Sequence, residues 1–326
     1  MTLMNDYPPV TVLMPVYNGA KYIAEAIDSV LGQTFKEYEF LIVNDGSTDN
    51  TTQIISSFND GRIRLIHHRI NMGIATALNT GLFNARGKYI ARFDADDICL
   101  PERLAIQFSF LDAHQDYIVI GSDAEYIDES GAHLFSYTCI GHSNERIRNK
   151  MTLLCPFIHS SVMFKRYPVV LAGGYSLYAH NFEDYFLWIQ LKDFGKFNNI
   201  PQMLIRVRFN PSSVTIDEKV RGRIFRKIKR ETIRRGTITK EEGEILSGII
   251  KSQDTKKIKE SSYHSLCGKK YLINNHHPQK ARASLLKAIR IHPLRIENYV
   301  LYFLSYFPAS FIQLLHTGAL AKPNNQ

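Results

Sequence analysis

The sequence predicts an α/β fold whose parallel sheet is covered by helices on both faces. Apolar segments of strand length recur through the N-terminal third, and segments with apolar residues at three- and four-residue spacing separate them. Strands that alternate with helices in this way form βαβ units, and their strands are parallel and buried. The predicted strands are 10–17, 39–43, 63–66 and 88–93, and the predicted helices are 20–32, 48–58 and 73–85.

Local patterns justify each element. The apolar positions that repeat at helical spacing in the first helix are Ile23, Ala26, Ile27, Val30 and Leu31. Ser47 and Thr48 are candidate N-caps of the second helix, because their hydroxyls can accept hydrogen bonds from free backbone N–H groups. Farther along the chain, 117–122 and 202–209 predict strands and 146–154 predicts a helix.

The length and the charge limit the classes of protein that fit. The 326 residues exceed what one compact core usually absorbs, so we expect one large domain plus an appendage. The formal net charge of +9 favours an anionic partner or surface without identifying it. The four cysteines have no zinc-binding spacing and the N-terminus shows no secretory signal, which predicts reduced thiols in a cytoplasmic protein.

Polar side chains follow three of the predicted strands at the point where each strand ends. They are Tyr17, Asn18, Asn44, Asp45, Asp94, Asp96 and Asp97. Ligands of parallel sheets bind at the carboxyl ends of the strands, so we expect these side chains to share one crevice. Each cluster taken alone is also consistent with an ordinary turn, because Asn, Asp and Gly favour turns.

The acidic cluster after the fourth strand favours a divalent cation. The sequence contains neither G-x-G-x-x-G after its first strand nor G-x-x-x-x-G-K-[ST], so a bound nucleotide needs another group to neutralise its phosphates. Mg²⁺ or Mn²⁺ held by one or two carboxylates would neutralise the phosphates. The alternative is that Asp96 and Asp97 cap a helix that begins near Pro101, where Glu102 would suit the first turn.

Several separated segments resemble the inverting family 2 glycosyltransferases of GT-A fold. They are VTVLMPVYNGAKYIAEAIDSVLGQTF, LIVNDGSTDNT, NMGIATALNTGL and GKYIARFDADD, with looser matches in PFIHSSVMFKR and NFEDYFLWIQL. The resemblance is strong over residues 10–114 and fades after about residue 214. It implies a Rossmann-like GT-A fold and a nucleotide-sugar donor, usually a UDP-sugar.

The resemblance also implies a donor site. Asp94-Ala95-Asp96 matches the D-x-D metal motif, so Asp96 is expected to bind Mn²⁺ or Mg²⁺ at the donor diphosphate, and Asp94 to lie nearer the ribose or to share the metal. Asp45 is expected to hydrogen-bond the base, and Arg92 to contact a phosphate or to offset carboxylate repulsion. The expected nucleotide-binding residues are Pro15, Val16, Tyr17, Asp45, Arg92 and Asp94.

A second acidic pair is expected to supply a catalytic base. Transfer with inversion needs a group that accepts the proton of the acceptor hydroxyl. The resemblance places this group at the start of the helix EDYFLWIQL, with Asp184 as the base and Glu183 as the alternative. The plainer interpretation is a helix N-terminus whose acids complement the helix dipole. The resemblance places His159 near the acceptor side, although a lone histidine is more often structural.

The C-terminal third has a different character. Residues 219–235 are dense in Lys and Arg, which predicts a solvated basic helix face or a stripe facing anionic lipid headgroups. Residues 276–308 resemble one helical-repeat unit that is broken at three prolines. Residues 298–321 contain no Lys, Arg, Asp or Glu, so a transmembrane span, an interfacial amphipathic helix and a soluble packed helix all stay open.

Together these features predict a metal-dependent inverting glycosyltransferase for a bacterial O-antigen, capsule or exopolysaccharide. The expected partners are a nucleotide-sugar donor, a glycan or lipid-linked acceptor and an anionic membrane surface, with the protein cytoplasmic or peripheral on the inner face of the membrane. No nucleic acid is expected, because no binding module accompanies the basic run. The expected divisions are 1–114 for the donor, 115–214 for the acceptor and 215–326 for a helical, membrane-associating region.

Two other classes of function stay open. A nucleotidyltransferase should have a loop rich in Gly and Lys or Arg after its first strand, where this chain has PVYNGAKY. A non-catalytic module that binds nucleotide sugars or a membrane would not need the acidic residues Asp94, Asp96 and Asp184.

Overall fold

A computed structural model of the chain describes residues 7–210, 221–253, 255–275, 277–308 and 312. These residues form a sheet of nine strands, together with twelve α-helices and two short 3-10 helices. The strands are β1 (Val10–Val16), β2 (Tyr38–Asn44), β3 (Ile63–His67), β4 (Tyr89–Arg92), β5 (Ile98–Cys99), β6 (Tyr117–Ile127), β7 (His133–Tyr137), β8 (Met163–Lys165) and β9 (Lys196–Arg208). The helices are α1 (Ile23–Leu31), α2 (Thr51–Ser57), α3 (Ile74–Asn84), α4 (Arg103–Ala113), α5 (Asn144–Lys150), α6 (Arg166–Leu171), α7 (Glu183–Gln190), α8 (Arg223–Arg235), α9 (Lys240–Ser252), α10 (Thr255–Ile273), α11 (Pro278–Ile291) and α12 (Ile296–Leu304).

The strand order is β3-β2-β1-β4-β8-β6-β9-β5, and β7 pairs with β6. Strands β1 to β4 pair in parallel, as predicted, and every residue of β1 and β2 is buried. The sheet as a whole is mixed, because β8 runs antiparallel to both β4 and β6. The chain passes from β1 outward to β3 and then returns to the other side of β1 at β4. The carboxyl ends of β1 and β4 therefore flank a topological switch point, where open α/β sheets bind ligands.

The predicted N-caps of α2 are wrong, and the alternative that Asp96 and Asp97 cap α4 is excluded. Helix α2 begins at Thr51, and its N-cap position is Asn50, so Ser47 and Thr48 do not cap it. Both residues instead hydrogen-bond to Asn18 in the loop after β1. Helix α4 begins at Arg103, which leaves the acidic cluster outside its first turn.

The chain divides into two compact units. Unit 1 comprises Met1–Glu125, Ser136–Arg208 and Lys227–Ser247, and unit 2 comprises Tyr126–Phe135, Phe209–Arg226 and Gly248–Gln326. Each unit therefore contains segments from distant parts of the sequence. The predicted donor and acceptor regions describe roles within the fold, and they stay predictions.

Unit 2 has an apolar core of its own. Helices α10 and α11 pack along each other, and α12 packs against both. The predicted breaks at prolines are confirmed for α11, which has Pro278 in its first turn, and for the turn around Pro293 between α11 and α12. The buried core residues are Leu134, Phe135, Phe209, Tyr263, Cys267, Tyr271, Leu272, Ala281, Leu285, Leu301 and Ile312.

Across the described ranges, we find no helix with the length and apolar character needed to cross a membrane. Within the charge-free segment 298–321, helix α12 ends at Leu304, and residues 309–311 and 313–321 lie outside the described residues.

Two glycines on helices of unit 2 give a matched test of the packing between α10 and α11. A Cβ added at Gly268 would lie 2.5 Å from Leu285 Cγ, whereas a Cβ at Gly248 would meet nothing within 4 Å. We expect Gly248→Ala to stabilise the fold by about 0.5–1 kcal/mol, because alanine loses less backbone entropy in a helix. Gly268→Ala should destabilise it by about 1–3 kcal/mol through overpacking. Denaturant unfolding measures both, and equal stabilisation by the two variants would contradict the close packing.

Candidate active site

The loops that follow β1 and β2 are hydrogen-bonded to each other. The Asn18 amide N–H donates to Ser47 Oγ at 2.9 Å, and Asn18 Oδ1 accepts from the Thr48 N–H at 2.8 Å. Asp49 Oδ2 accepts from the Ala20 N–H at 3.1 Å. The two strand ends therefore form one preorganised edge. Of the three predicted residues at the end of β1, Pro15 and Val16 are buried in the sheet, and Tyr17 has a 48% exposed side chain on this edge.

Asp45, the expected base-binding residue, is already heavily hydrogen-bonded. Its Oδ1 accepts from the Met72 N–H at 3.0 Å and lies 2.6 Å from His68 Nδ1, and its Oδ2 accepts from the Gly73 N–H at 2.8 Å. Because an ionised carboxylate only accepts, His68 Nδ1 carries the proton. For a neutral imidazole, Nε2 then accepts from the Thr80 hydroxyl, 3.0 Å away.

These contacts fix the 68–73 loop over the end of β2. Gly46 has a φ of 73°, and a Cβ there would lie 2.5 Å from the Ile70 backbone carbon. The position therefore needs glycine on both steric and conformational grounds. A carboxylate offers about four acceptor sites, and three donors occupy Asp45 here. The fourth site belongs to a carboxylate that is only 3% exposed.

The acidic cluster lies at the end of β4 and has both exposed and buried members. Asp94 and Asp96 are partly exposed, and Asp94 forms an ion pair with the buried Arg92. The Asp94 amide N–H donates to Ser160 Oγ at 3.1 Å. Asp97 is buried, and its Oδ1 accepts from the Arg208 N–H at 2.8 Å. Burial, and then the neighbouring Asp96 and Asp94, raise the pKa of Asp97 well above its usual range.

Arg208, at the end of β9, holds the acidic cluster in place. Besides its N–H bond to Asp97, its Nε donates to the Asp96 carbonyl at 2.9 Å, and its guanidinium pairs with Glu25 on α1 at 2.5 Å. These three contacts tie the D-x-D segment to two separate elements. Sequence reasoning missed Arg208, and the one signal was a charged residue inside a predicted strand.

The exposed members of the cluster fit a divalent cation held jointly with a ligand. Mg²⁺ usually takes one or two protein carboxylates and completes its shell with phosphate and water. Asp94 and Asp96 meet that requirement, since both are partly exposed at the switch point. Among the described residues, no group of three or more His, Cys, Asp or Glu side chains forms a complete protein cage.

The second acidic pair begins helix α7. Tyr185, Phe186, Leu187, Trp188 and Ile189 are buried, which fixes the helix and its N-terminus. Burial first, and then Asp184, raise the pKa of Glu183 to about 7. Burial also raises the pKa of Asp184, although backbone N–H groups, Arg92 and Lys229 oppose the shift.

Arg92 links the two acidic groups. It forms an ion pair with Asp94, and its charge also lowers the pKa of both Glu183 and Asp184 against the effect of burial. The charge of Arg92 also lowers the pKa of the nearby Tyr175 phenol, which burial first and the carboxylates of Asp184, Glu183 and Asp94 raise. Arg92 therefore interacts both with a carboxylate at the end of β4 and with the acidic pair at the start of α7.

His159 occupies an aromatic cluster in this region. Its Nε2 lies 3.0 Å from the Tyr175 hydroxyl, and its ring contacts the Trp188 ring with centroids 6.1 Å apart. Burial, and then Arg92, lower the pKa of His159 well below its usual value, so the imidazole is neutral. The Tyr175 backbone is held in turn by Asn79 on α3.

Two further residues beside Asp184 were not found from the sequence. The Cys155 thiol lies 4.0 Å from Asp184 Oδ2, and burial followed by the charge of Asp184 raises its pKa, so it is a neutral donor. Lys229, on α8, has its ammonium 5.4 Å from the Tyr185 ring centroid and 5.6 Å from that of Phe182. In the sequence Lys229 was one member of a basic run, and nothing distinguished it from the others.

Sequence comparison places this fold in a class of transferases and identifies the family. The model for Glycosyl transferase family 2 matches residues 11–169. EpsE of Bacillus subtilis (strain 168), a protein named as a glycosyltransferase, is 34% identical over 211 residues, which cover 63% of this chain and 74% of EpsE. The amylovoran biosynthesis glycosyltransferase AmsE of Erwinia amylovora is 30% identical over 203 residues, which cover 61% of this chain and 75% of AmsE. The chain belongs to glycosyltransferase family 2.

Solved structures confirm the predicted GT-A fold. S. aureus TarS 1–349 in complex with UDP-GlcNAc has a TM-score of 0.54 at 16% identity, and the match covers 95% of this chain and 92% of TarS 1–349. The mannosyltransferase PcManGT from Pyrobaculum calidifontis in complex with GDP-Man and Mn²⁺ has a TM-score of 0.54 at 20% identity, and the match covers 97% and 86% of the two chains. At these identities the likeness concerns the fold alone.

The raised pKa of Glu183 gives a stability prediction. Its folded pKa of about 7 exceeds the unfolded value of 4.5, so the stability that neutral Glu183 contributes is complete below the unfolded value and is lost as the pH rises through about 7. Glu183→Gln stays neutral, and at about pH 8 it should therefore raise the free energy of unfolding by on the order of 2 kcal/mol.

Unfolding curves across a pH series check this expectation. The advantage of Glu183→Gln should shrink as the pH falls toward the unfolded pKa. The exposed Glu37→Gln is the matched control, and its stability should follow the parent at every pH. A Glu183→Gln effect that is the same at all pH values would show that packing, and not ionisation, causes it.

Proposed function

We propose that the protein is a metal-dependent, inverting glycosyltransferase that moves a sugar from a nucleotide donor, with UDP as the expected nucleotide, to a glycan or lipid-linked acceptor. The observation that carries this proposal is the pair of acidic groups facing Arg92, one at the end of β4 and one at the start of α7. Inverting sugar transfer uses two acidic groups in different places. One binds the metal at the leaving diphosphate, and the other accepts the proton of the acceptor hydroxyl.

The first acidic group serves the donor. Asp96 and Asp94 would hold Mn²⁺ or Mg²⁺, and a metal bound there supplies positive charge to the departing diphosphate. Asp45 offers its remaining acceptor site to the base, and the exposed ring of Tyr17 lies on the same edge of the sheet. Arg92 acts mainly through Asp94, since it is buried and already paired with that carboxylate.

The second acidic group serves the acceptor. Asp184 is partly exposed and Glu183 is only 8% exposed, so Asp184 is the member that an acceptor hydroxyl can reach. The hydroxyl proton passes to Asp184 as the acceptor oxygen bonds to the anomeric carbon, and the nucleotide diphosphate leaves with the electrons of the broken bond. The raised pKa of Asp184 favours this role, because a base works best with a pKa near the operating pH. His159, neutral and close by, would contact the acceptor.

We assign the acceptor to a bacterial surface polysaccharide, such as an O-antigen, a capsule or an exopolysaccharide. The name of AmsE supports this assignment, because it places that relative in the biosynthesis of amylovoran. The protein would then work in the cytoplasm or peripherally on the inner face of the cytoplasmic membrane, where a lipid-linked acceptor is accessible. The net charge of +9 suits an anionic membrane surface.

Two variants separate donor binding from chemistry. The parent should be stabilised by one nucleotide sugar in the presence of Mn²⁺ or Mg²⁺, by about 2.7 kcal/mol at a hundred times the dissociation constant. Asp96→Asn should lose this stabilisation, because it removes a metal ligand. Asp184→Asn should keep it but lose about 10²–10⁴ in turnover, because only the base is removed. Thermal unfolding with a panel of UDP- and GDP-sugars measures the first effect, and sugar transfer measures the second.

The controls decide between the assignments. Asp116→Asn, an exposed residue paired with Lys196, should match the parent in both assays. If Glu183→Gln abolishes transfer and Asp184→Asn does not, Glu183 is the base. A parent that shows no shift with any donor, with or without metal, would favour a non-catalytic binding module.

Lys229 gives a prediction about pH dependence. Its charge lowers the pKa of Asp184, and so does that of Arg92, while Cys155, Tyr175 and Glu183 are the other ionisable groups around this carboxylate. Lys229→Met should therefore raise the pKa of Asp184. Because the base must be ionised, the rising limb of kcat/KM should move to higher pH, with several-fold loss at low pH and recovery at high pH.

A pH series of kcat/KM measures the shift. Lys227→Met is the control, because Lys227 lies on the same helix but is exposed and pairs with Glu231. A uniform loss at all pH values in Lys229→Met would indicate a structural role for its stacking on Phe182 and Tyr185.

A further inference from the structure

Helix α12 presents its apolar side to solvent. The outward face consists of Ile296, Tyr299, Val300, Phe303, Tyr306 and Phe307, and its members range from 36% to 76% exposed. Their spacing of three and four residues places them along one side of the helix and the turn that follows. The opposite side is buried and partly polar, with Asn298 at 0% and Ser305 at 1% exposure. A helix that only packs on its own domain shows the reverse arrangement.

Buried polar contacts keep α12 in this orientation. Asn298 Oδ1 accepts from Ser265 Oγ on α10 at 2.6 Å, and the Ser305 carbonyl accepts from Arg282 Nη1 on α11 at 3.0 Å. Rolling the helix to cover its apolar face would break both contacts and leave buried polar groups without partners, which is costly. These contacts therefore stabilise the orientation in which the apolar face of α12 points to solvent.

The composition of this face suits the boundary between a bilayer and water. Four of its six members are Tyr or Phe, and tyrosine is enriched at the level of lipid headgroups, where one end of the ring is apolar and the other is wet. Contiguous exposed apolar patches mark interaction sites in general. The Arg282 guanidinium, 4.7 Å from the Tyr306 ring centroid, adds a positive charge at its edge.

The net charge of the segment that contains α12 favours an anionic surface. Residues 255–308 carry ten Lys and Arg and only two acids, Glu260 and Glu297, so this segment accounts for nearly all of the chain's net charge of +9. Lys287 and Arg290, on α11, are exposed. Anionic lipid headgroups attract such a segment. A second copy of the chain would instead bring the same positive segment against itself in a symmetric pair.

We propose that the outward face of α12 docks on an anionic lipid bilayer surface, with its rings at the headgroup level and the surrounding Lys and Arg on the headgroup phosphates. This docking rests on the proposed function and deepens it, because it would hold a glycosyltransferase at the membrane that carries a lipid-linked acceptor. The contact needs no catalytic step, so it can be tested apart from sugar transfer.

Vesicle sedimentation with the full chain tests the proposal. Phosphatidylcholine vesicles with and without phosphatidylglycerol are the two probes. The parent should bind only the anionic vesicles, and salt should weaken the binding. Ile296→Ser with Phe303→Ser should reduce binding at least tenfold. Tyr167→Ser with Leu171→Ser, on the exposed side of α6, is the matched control and should bind as the parent does.

Each other outcome overturns the proposal. If the α12 double variant binds anionic vesicles as tightly as the parent, the face is not the docking element. If the parent binds no vesicles but is a dimer by light scattering, and the α12 variant is a monomer, the occupant is a second copy. Unfolding curves check that the variant is folded. The donor-dependent thermal shift, measured on the same proteins, separates failure of docking from failure of the proposed function.

Discussion

The organisation of the candidate site depends on one buried positive charge. Five carboxylates, Asp94, Asp96, Asp97, Glu183 and Asp184, belong to two groups in the same unit of the fold. Burial and neighbouring carboxylates raise the pKa of Asp97 and Glu183, which favours their neutral forms. Arg92 is 3% exposed, pairs with Asp94 and acts on Glu183 and Asp184. The backbone carbonyl of Arg92 accepts a hydrogen bond from the guanidinium of the buried Arg103, which helps to hold this part of β4 in place.

The sequence predicts those features of the fold and the site that are determined within short, continuous segments. Strands β1 to β4 show as apolar runs, and the polar residues after β1, β2 and β4 mark the strand ends without any knowledge of tertiary contacts. The GT-A fold and the start of α7 follow from motifs of similar length. Ser47 and Thr48 show the limit of local reasoning, because their hydrogen-bonding groups are taken by Asn18 across the loops.

The residues that support the site could not be predicted, because their partners are distant in sequence. Arg208 reaches Asp97 across 111 positions, and Ser160 reaches Asp94 across 66. The position of Lys229 is set by the packing of α8, whose buried residues include Phe225, Ile228 and Ile233. No periodicity distinguishes such residues from their neighbours. The orientation of α12 is a similar case, since the apolar pattern was visible but the polar contacts that turn it outward were not.

The division of the chain into units also constrains the order in which the protein can be made. Unit 1 includes Lys227–Ser247, and unit 2 includes Tyr126–Phe135, which leaves the ribosome long before the helices α10 to α12. The unit with the acidic groups therefore cannot be complete until Ser247 has emerged, and a polypeptide truncated before Lys227 lacks part of it. Domains generally fold as units during synthesis. Unit 1 has all its segments once Ser247 has emerged, whereas the early segment Tyr126–Phe135 of unit 2 must wait for residues after Gly248.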